Sequence, residues 1–438
     1  MSESQNIEYK ESWRDEYLKW VCGFANAVGG KIYIGITDKG IVQGIANAKK
    51  LMEDIPNKVR DVLGILIETN LHSEQGNEYL EIVVEAYPYP INYKGQYHIR
   101  SGSTKQELKG NALNKFLLEK SGKRWDGVPL PNITIQELSP IALRLYREKA
   151  SKTNRIEKEA LEDSDEILLE NLMLLDSGKL KRAAILLFHP DPEKYFQGAY
   201  AKIGFFRTDD DLVYQDEVRG NLMEQIDKVY DLIITKYTTS AIEYSGTSRR
   251  EKELFPRLAL REALLNALVH KDYSEAEPIQ ISVYPDHIVF WNAGQLPENW
   301  TADNLKRKHP SKPFNPDLAQ ALFRCGDIES WGRGTIKMIK ESVAGKILPP
   351  EFNTEMSGMM VSFFSDAEEF LKRKELKKEL IKVVLDTLEK GNTNNSRVRD
   401  ICNVSKATAT RYLRELDGEF LERVGKTGEG TYYIIKGS

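Results

Sequence analysis

Cysteine is nearly absent from this chain: three residues in 438, Cys22, Cys325 and Cys402, far apart and odd in number. That usage fits a reduced intracellular protein and offers no zinc-ligand spacing, so neither a disulfide framework nor a structural metal is expected. Long apolar runs are missing too. No uninterrupted stretch reaches the roughly 18–20 residues that a membrane span needs. The N-terminal region is already charged, so the expectation is a soluble cytoplasmic protein with no membrane partner. There is no excess of positive charge: 62 Lys and Arg stand against 66 Asp and Glu, a formal net charge of -4. Any contact with nucleic acid must therefore come from a local patch. A G-x-x-x-x-G-K-[ST] loop occurs nowhere, and "SGKRWDG" lacks its spacing, which removes the phosphate-cradling loop of a motor helicase. Internal repeats and long low-complexity tracts are also lacking.

What is present is a chain too long for one hydrophobic core. A multidomain α+β protein is expected, with domains at 1–125, 135–365 and 366–438. In the first, "LKWVCGFANAVGG" has helical spacing and "KIYIGITD" alternates with period two after the Gly29-Gly30 break, a helix feeding a strand. "YLEIVVEAY" and "QYHIRSGSTK" continue the strand character and "KGNALNKFLLEK" closes the block as a helix. Pro and Gly in "KRWDGVPLPN", residues 123–132, mark a linker. Helices follow near 141–152 and 157–175, then the apolar strand "AAILLF", a second strand "AKIGFF" and a long amphipathic run at 221–240. From 255 to 365 the order is helix, strand "IQISVY", a turn at Pro285-Asp286, strand "HIVFWNAG", a polar loop, two helical pieces and strand "GMMVSFF". A helix beside antiparallel strands predicts a two-layer sandwich.

The helix "REALLNALVHKDY", residues 261–273, carries the first chemical signal. Glu262, Asn266 and His270 recur every fourth position in an otherwise apolar run. On a helix they fall within about 80° of one another, with Leu264, Leu265 and Leu268 expected on the opposite, packing side. The bland alternative is a solvated polar face. Two glycine-containing turns follow, "WNAGQLP" after a strand and "ESWGRGTIKM" before a helix. Glycine there lets the backbone approach a phosphate or base closely.

Together with "KRAAILLFHPDPEKY" and "HPSKPFNPDLAQALF", these make residues 180–365 resemble the GHKL-type ATP-binding fold of gyrase, its chaperone relatives, histidine kinases and MutL. The resemblance is closer to the divergent version at the C-terminal end of RecG-related transcriptional regulators. It implies that Asn266 ligates a magnesium ion bridging the phosphates of ATP and that Glu262 orients the attacking water in a weak ATPase. It also implies that Asn292 to Gly294 hold the base, that Gly332, Arg333 and Gly334 close over the phosphates, and that His270 belongs to the same cofactor-binding set. Two positions depart from the wider fold: Asn292 stands where an aspartate accepts from adenine, and the second glycine of that box is replaced near Leu296.

At the other end, "SESQNIEYKESW", "FANAVGGKIYIGITDKGIVQGI" and "YHIRSGS" resemble the AlbA-type domain of Schlafen proteins and many bacterial regulators. Phe24, Asn26, Gly29, Gly30, Gly35 and Asp38 carry the match. The resemblance implies nucleic-acid binding. Some Schlafen members cleave tRNA with two glutamates and an aspartate, for which Glu3, Glu8 and Asp38 are the matching candidates. Three carboxylates around Mg or Mn would activate water beside a phosphate. The same residues also read as a terminal segment and a solvated strand. Gly29, Gly30 and Gly35 read as turn glycines, and Lys31, Lys39, Arg100 and Lys105 as a candidate basic surface.

After a helix around 367–389, "NNSRVRDICNV" and "SKATATRYLRELDGE" are two helical signals about a turn at Asn403 to Ser405, with Ser405 placed as N-cap. "FLERVGKTGEGTYYIIK" reads as two strands about a glycine-rich turn. Helix, turn, helix and hairpin predict a winged helix-turn-helix. Ile401, Val404, Ala409 and Leu413 are its expected core. Lys406, Thr408, Thr410, Arg411 and Arg414 are then available to DNA, with Lys406 and Arg414 suited to phosphates, Thr408 and Arg411 to base edges, and Lys426 on the wing tip. Glu415, Asp417 and Glu419 confine the approach to the helix's first half.

The combined reading is a nucleotide-responsive DNA-binding transcriptional regulator, expected to be a dimer because paired winged helices bind two half-sites. ATP would order a lid at about 300–330 and so shift the DNA-binding ends. One competing reading is a metal-dependent ribonuclease acting on tRNA, in phage defence for instance. Another is an interaction scaffold in which neither site is live.

Overall fold

The structure, a computed structural model, describes residues 4–238, 241–245, 248–297, 299–329, 332–425 and 430–437. Glu3 and Lys426 lie outside the described residues. The chain divides into two units, Met1–Arg124 and Trp125–Ser438. Both mix helices and sheets, so the protein is a multidomain α+β molecule. No described helix is long and apolar enough to cross a membrane.

The first unit contains β1 (Ile7–Lys10), α1 (Leu18–Asn26), β2 (Gly30–Ile34), α2 (Ala48–Leu63), β3 (Glu68–Glu74), β4 (Asn77–Val84), β5 (Tyr97–Ser101), β6 (Thr104–Leu108) and α3 (Gly110–Lys120). Four strands form a sheet in the order β1-β2-β4-β3, with β1 parallel to β2 and the other pairs antiparallel. Alternation puts Ile32, Ile34, Leu80 and Ile82 on one face, where they pack with Val21 and Phe24 of α1 and Ile55 and Val59 of α2. Gly30 is required at the strand's start, since a β-carbon there would run into the Phe24 ring. Asn26 is buried: its Nδ2 donates to the carbonyls of Ile91 (2.7 Å) and His98 (2.8 Å), and its Oδ1 accepts from the Ile91 N–H.

Two expectations for this unit are corrected. "EYKES" is not a solvated segment: β1 is a sheet strand, and Glu8 is 1% exposed. Arg100, expected on a basic surface, is 3% exposed. The reason is mutual. Arg100 donates to Glu8 and to the carbonyls of Ser4 and Ile7, while its guanidinium lies over Trp20 and Phe24.

The second unit opens with α4 (Pro140–Ala150), α5 (Lys158–Glu162), α6 (Asp165–Asn171), the short pair β7 (Leu175–Asp176) and β8 (Lys179–Leu180), α7 (Arg182–Phe188), β9 (Ala201–Thr208), β10 (Asp211–Val218) and α8 (Leu222–Leu232). Then come β11 (Ala241–Ser245), β12 (Ser248–Lys252), α9 (Arg257–His270), β13 (Ile279–Val283), β14 (His287–Ala293), α10 (Ala302–Leu305), α11 (Pro316–Arg324), α12 (Gly334–Ala344), β15 (Glu351–Asn353) and β16 (Gly358–Phe364). A six-stranded sheet runs β10-β9-β13-β14-β16-β15, antiparallel except for β13 against β9. Its apolar face packs with α4, α7, α8, α9 and α11 in one large core.

Several sequence expectations change here. "AAILLF" lies in helix α7 and is not a strand; residues 183–188 are buried on every side, and a short wholly apolar run has no period to separate the two forms. The helix expected at 157–175 is two, because Ser164 caps α6 by accepting from the Ile167 N–H. The segment 123–132 is no free linker from Trp125 onward. Trp125 stacks with Tyr273, Asp126 is fully buried and accepts from the Leu318 N–H at 2.9 Å, and Leu130 bonds Leu180.

The remaining elements are α13 (Ala367–Arg373), α14 (Lys378–Lys390), α15 (Asn395–Cys402), α16 (Lys406–Leu416) and the hairpin β17 (Leu421–Val424) and β18 (Tyr432–Ile435). The helix expected at 367–389 is broken at Glu375, whose φ of 57° no continuous α-helix accommodates. Val383, Val398, Ala409, Leu413, Leu421 and Ile435 make a separate core. Ile401 is only half-buried; Cys402 and Val404 pack against that core.

Candidate functional site

Helix α9 is buried along most of its length, with Ala259, Leu260, Ala263, Leu264 and Leu268 in the core. Its remaining stripe, Glu262, Asn266 and His270, lines a cavity of about 130 Å³. Asn292 and Gly294 from the end of β14, His309, and residues 332–335 complete the wall. Leu265, expected to face away, lines the cavity too. It lies only about 60° from Glu262 around the helix, on the side away from Asn266. The polar line therefore has an apolar border.

Glu262 is 7% exposed and makes no ion pair among the described residues. Asn266 Nδ2 donates to its backbone carbonyl at 2.8 Å and approaches its Oε1 at 3.3 Å. Burial pushes its carboxyl above the usual range, Lys337 opposes the shift and Glu329 adds to it. A buried carboxylate short of donors and facing a cavity is what a general base or water-orienting group looks like. Gly334 makes the arrangement possible, because a β-carbon there would collide with Glu262 Oε1. Helix α12 starts at Gly334 with no side chain capping it, so first-turn N–H groups are left for another acceptor.

Burial brings His270 down to about 4, with His309 contributing, so the ring is neutral at neutral pH. Next to it, Lys271 is fully buried, donates to the carbonyls of Asp272 (3.1 Å) and Glu275 (3.3 Å), and is pushed down to about 8 by burial. Asn292 is buried, with Nδ2 on the Ala293 carbonyl at 3.1 Å. The other side of α9 is fixed by Arg261, whose guanidinium meets Asp327 at 2.7 Å.

Residues 299–314 close the cavity. His309 shares a hydrogen bond of 3.1 Å with Thr335 Oγ1, and its carbonyl comes within 2.5 Å of where a β-carbon on Gly332 would lie. Sites for small ligands typically enclose about 300–1,000 Å³. At about 130 Å³ this cavity lies below that range. Of the segment 300–330 expected as a lid, the part from Asn315 onward packs into the core. Asn315 is fully buried and donates to the carbonyls of Val269 and Lys271, and Leu318, Ala321 and Leu322 sit in the main core. Sequence analysis assigns no role to His309, which opens the quoted stretch "HPSKPFNPDLAQALF", or to Thr335.

Among the described residues no group of three His, Cys, Asp or Glu side chains could hold a metal ion. The cavity wall therefore offers, in Asn266 and Glu262, at most part of a coordination shell, and a divalent cation there would need most of its oxygen ligands from a bound phosphate. In the first unit, Glu8 is committed to Arg100 and to Lys10 at 2.5 Å, and Asp38 is exposed in the turn after β2. The described residues thus bring no nuclease-like carboxylate cluster together.

On α16, Lys406, Thr410, Arg411 and Arg414 are exposed and Thr408 is half-buried. Ser405 Oγ accepts from the Thr408 N–H at 3.2 Å. Thr410 is engaged locally, accepting from Asn395 Nδ2 at 2.8 Å and donating to the Lys406 carbonyl. The three cations of this set all face solvent.

No curated protein matches the chain. Among solved structures, the DIP2311 protein from Corynebacterium diphtheriae aligns over 98% of this chain and 92% of its own, with 18% identity and a TM-score of 0.48. Residues 3–109 match the family model described as "Schlafen, AlbA_2". Residues 276–363 match the one described as "Putative ATP-dependent DNA helicase recG C-terminal". The chain thus carries a Schlafen AlbA_2-type domain in its first unit and a RecG C-terminal, ATPase-like domain in its second, a combination that points to nucleic-acid binding beside an ATPase-like module.

Proposed function

We propose that this protein is a DNA-binding regulator whose affinity for DNA responds to a purine nucleoside triphosphate bound at the α9 cavity. The observation that carries the reading is the buried carboxylate of Glu262 beside Asn266, in no ion pair among the described residues, with the start of α12 laid against it. When bound, the magnesium nucleotide would supply the phosphate charge. Asn266 would hold the cation, the first turn of α12 and Arg333 the phosphates, and Glu262 a water; Asn292 and Gly294 would border the base. Entrance requires His309 to leave Thr335.

Residues 366–438 are the DNA-binding part of this proposal, read as a winged helix with Lys406 and Arg414 of α16 on the phosphates and Arg411 towards a base edge. Leu305 of α10 borders the cavity, while Asp303, Lys306 and Arg307 line a groove against residues 417–422 at the base of the hairpin. A segment displaced by nucleotide therefore touches the DNA-binding part. Since a ligand shifts an equilibrium only through differential affinity, the expected outcome is a changed DNA affinity when nucleotide is saturating.

Calorimetric titration of ATP with magnesium into the wild type and Asn266→Ala tests the site. Binding lost at least about 100-fold in the variant is expected, because cation and phosphate contacts go together. Equal binding by both proteins removes Asn266 from the site. Equal DNA affinity with and without nucleotide removes the regulation.

A further inference from the structure

Behind the wall of the α9 cavity lies a lysine that the proposed function leaves unused. Lys271 directly follows the last residue of α9, is fully buried and forms no ion pair among the described residues. Its Nζ donates to the carbonyls of Asp272 (3.1 Å) and Glu275 (3.3 Å) and lies 4.9 Å from the centroid of the Tyr273 ring. Burial brings it down to about 8 against the opposing charges of Asp272, Glu275 and Glu277, so it is a cation at neutral pH. Its own carbonyl accepts from Asn315 Nδ2 at 2.8 Å. Both ends of the residue are thus spent on the backbone of one turn, and charged donors make the stronger hydrogen bonds.

From that turn one contact reaches the cavity wall. The Asp272 N–H donates to the Ala293 carbonyl at 2.8 Å, and the same carbonyl accepts from Asn292 Nδ2 at 3.1 Å. A β-carbon on Gly294 would lie 2.7 Å from the His270 carbonyl and 3.2 Å from Asn292 Nδ2, so the glycine admits this close packing. A carbonyl only accepts, which fixes the nitrogen as the end of the Asn292 amide that faces Ala293. The amide oxygen is then the end left for the cavity that Asn292 lines. An oxygen there asks a bound base for a donor.

We propose that Lys271 is a positioning residue: by holding residues 271–275 it fixes the Ala293 carbonyl, and so turns the Asn292 amide with its oxygen toward the ligand. The inference rests on the nucleotide reading above. It adds a selection which that reading leaves open, for a base with an exocyclic amino group over one with a carbonyl at the same place. A carboxylate at this position would accept whichever way it turned; an amide turned by half a rotation presents a donor instead, so Asn292 needs a partner that orients it.

The test is calorimetric titration of the full chain with two probes, each with magnesium: ATP, and inosine triphosphate, in which a carbonyl replaces the amino group of the base. The wild type is expected to bind ATP at least about tenfold more tightly, since a buried acceptor that faces a carbonyl is left unpaired. In Lys271→Met the preference should fall to within about threefold, because either end of the amide can then face the base. Lys271→Gln keeps a donor for the two carbonyls and should lie between, with circular dichroism establishing that each variant folds. Adding Asn292→Asp to Lys271→Met should restore the preference for ATP. Equal affinity of the wild type for the two nucleotides would overturn the orientation of Asn292 and with it the proposal. An unchanged ratio in both Lys271 variants would overturn the role of Lys271, and so would a loss of both nucleotides by the same factor, which is what a merely structural lysine would give. A wild type that binds neither nucleotide removes the nucleotide reading as well.

Discussion

Glu8 and Glu81 in the first unit and Asp126 and Glu262 in the second are buried carboxylates treated in opposite ways, while Asp327 of the second unit is paired with Arg261 and Lys149. In the first, Glu8 meets Arg100 and Lys10, and Glu81 accepts from Lys31, Tyr33, Asn70 and His72. Burial alone would raise Glu81, yet those four donors bring it down to about 2. In the second unit, Asp126 has one oxygen on the Leu318 N–H and the other without a partner, and burial raises it to about 7. Glu262 is raised by burial as well. A buried charge given enough donors becomes a structural tie. A buried charge left short of them costs stability, and is a place to look for function. Asp126 shows the limit of that inference, since its hydrogen bond from the Leu318 N–H is made in the first turn of α11 and is structural.

The largest way to break this contrast is Glu8→Ala. It leaves the Arg100 guanidinium buried without its carboxylate, and a loss of about 3–5 kcal/mol in urea unfolding is expected. A loss under about 1 kcal/mol would mean that Glu8 is not a structural tie.

Asp126 comes next. Its folded-state value lies above its ordinary 3.8, so its contribution is fully present below about 3.8 and is lost as pH rises through about 7. Asp126→Asn should remove that loss and gain on the order of 3 kcal/mol over the wild type at pH 8. Hydrogen exchange in α11 peptides reads it; identical pH dependence in both proteins would contradict the raised value.

Glu81 has the opposite sign. Its value lies below its ordinary 4.5, so its contribution holds above about 4.5 and is lost as pH falls through about 2. Glu81→Gln should cost about 2 kcal/mol at pH 7, and the cost should shrink in acid. Exchange in peptides from β2 and β4 is the measurement, and a cost independent of pH would point to packing.

The smallest effect is Glu262→Gln. Removing a raised carboxyl should increase the melting temperature at pH 7, and the gain should vanish below about pH 4.5, where both states are protonated. Loss of nucleotide turnover with binding retained in the same variant would separate its role from that of Asn266.

Most of the secondary structure was legible from local pattern. Gly29-Gly30 followed by "KIYIGITD" is a helix-to-strand turn, and Ser405 accepts the N–H it was expected to accept. The errors share one cause. "AAILLF" has no period, β1 is too short to show one, and the segment from Trp125 looks like a loop because Pro and Gly outweigh its apolar residues. Each is decided by partners far away in sequence: the sheet for β1, Tyr273 and Leu318 for Trp125 and Asp126.

The site divides in the same way. Spacing alone put Glu262, Asn266 and His270 on one stripe, because helical geometry is local. Nothing in the sequence showed that Leu265 borders that stripe, that His309 closes over it, or that 315–328 is core and not lid. Nor did it show that Glu8 and Arg100 find each other across 92 residues. Sequence by itself determined which residues share a face and which elements form, through periodicity and capping. Only the tertiary structure decided which of those charges are satisfied and which are left exposed to a ligand. The physical reason is that desolvation and pairing depend on neighbours brought together by folding, and they set the protonation and availability of every group the function would use.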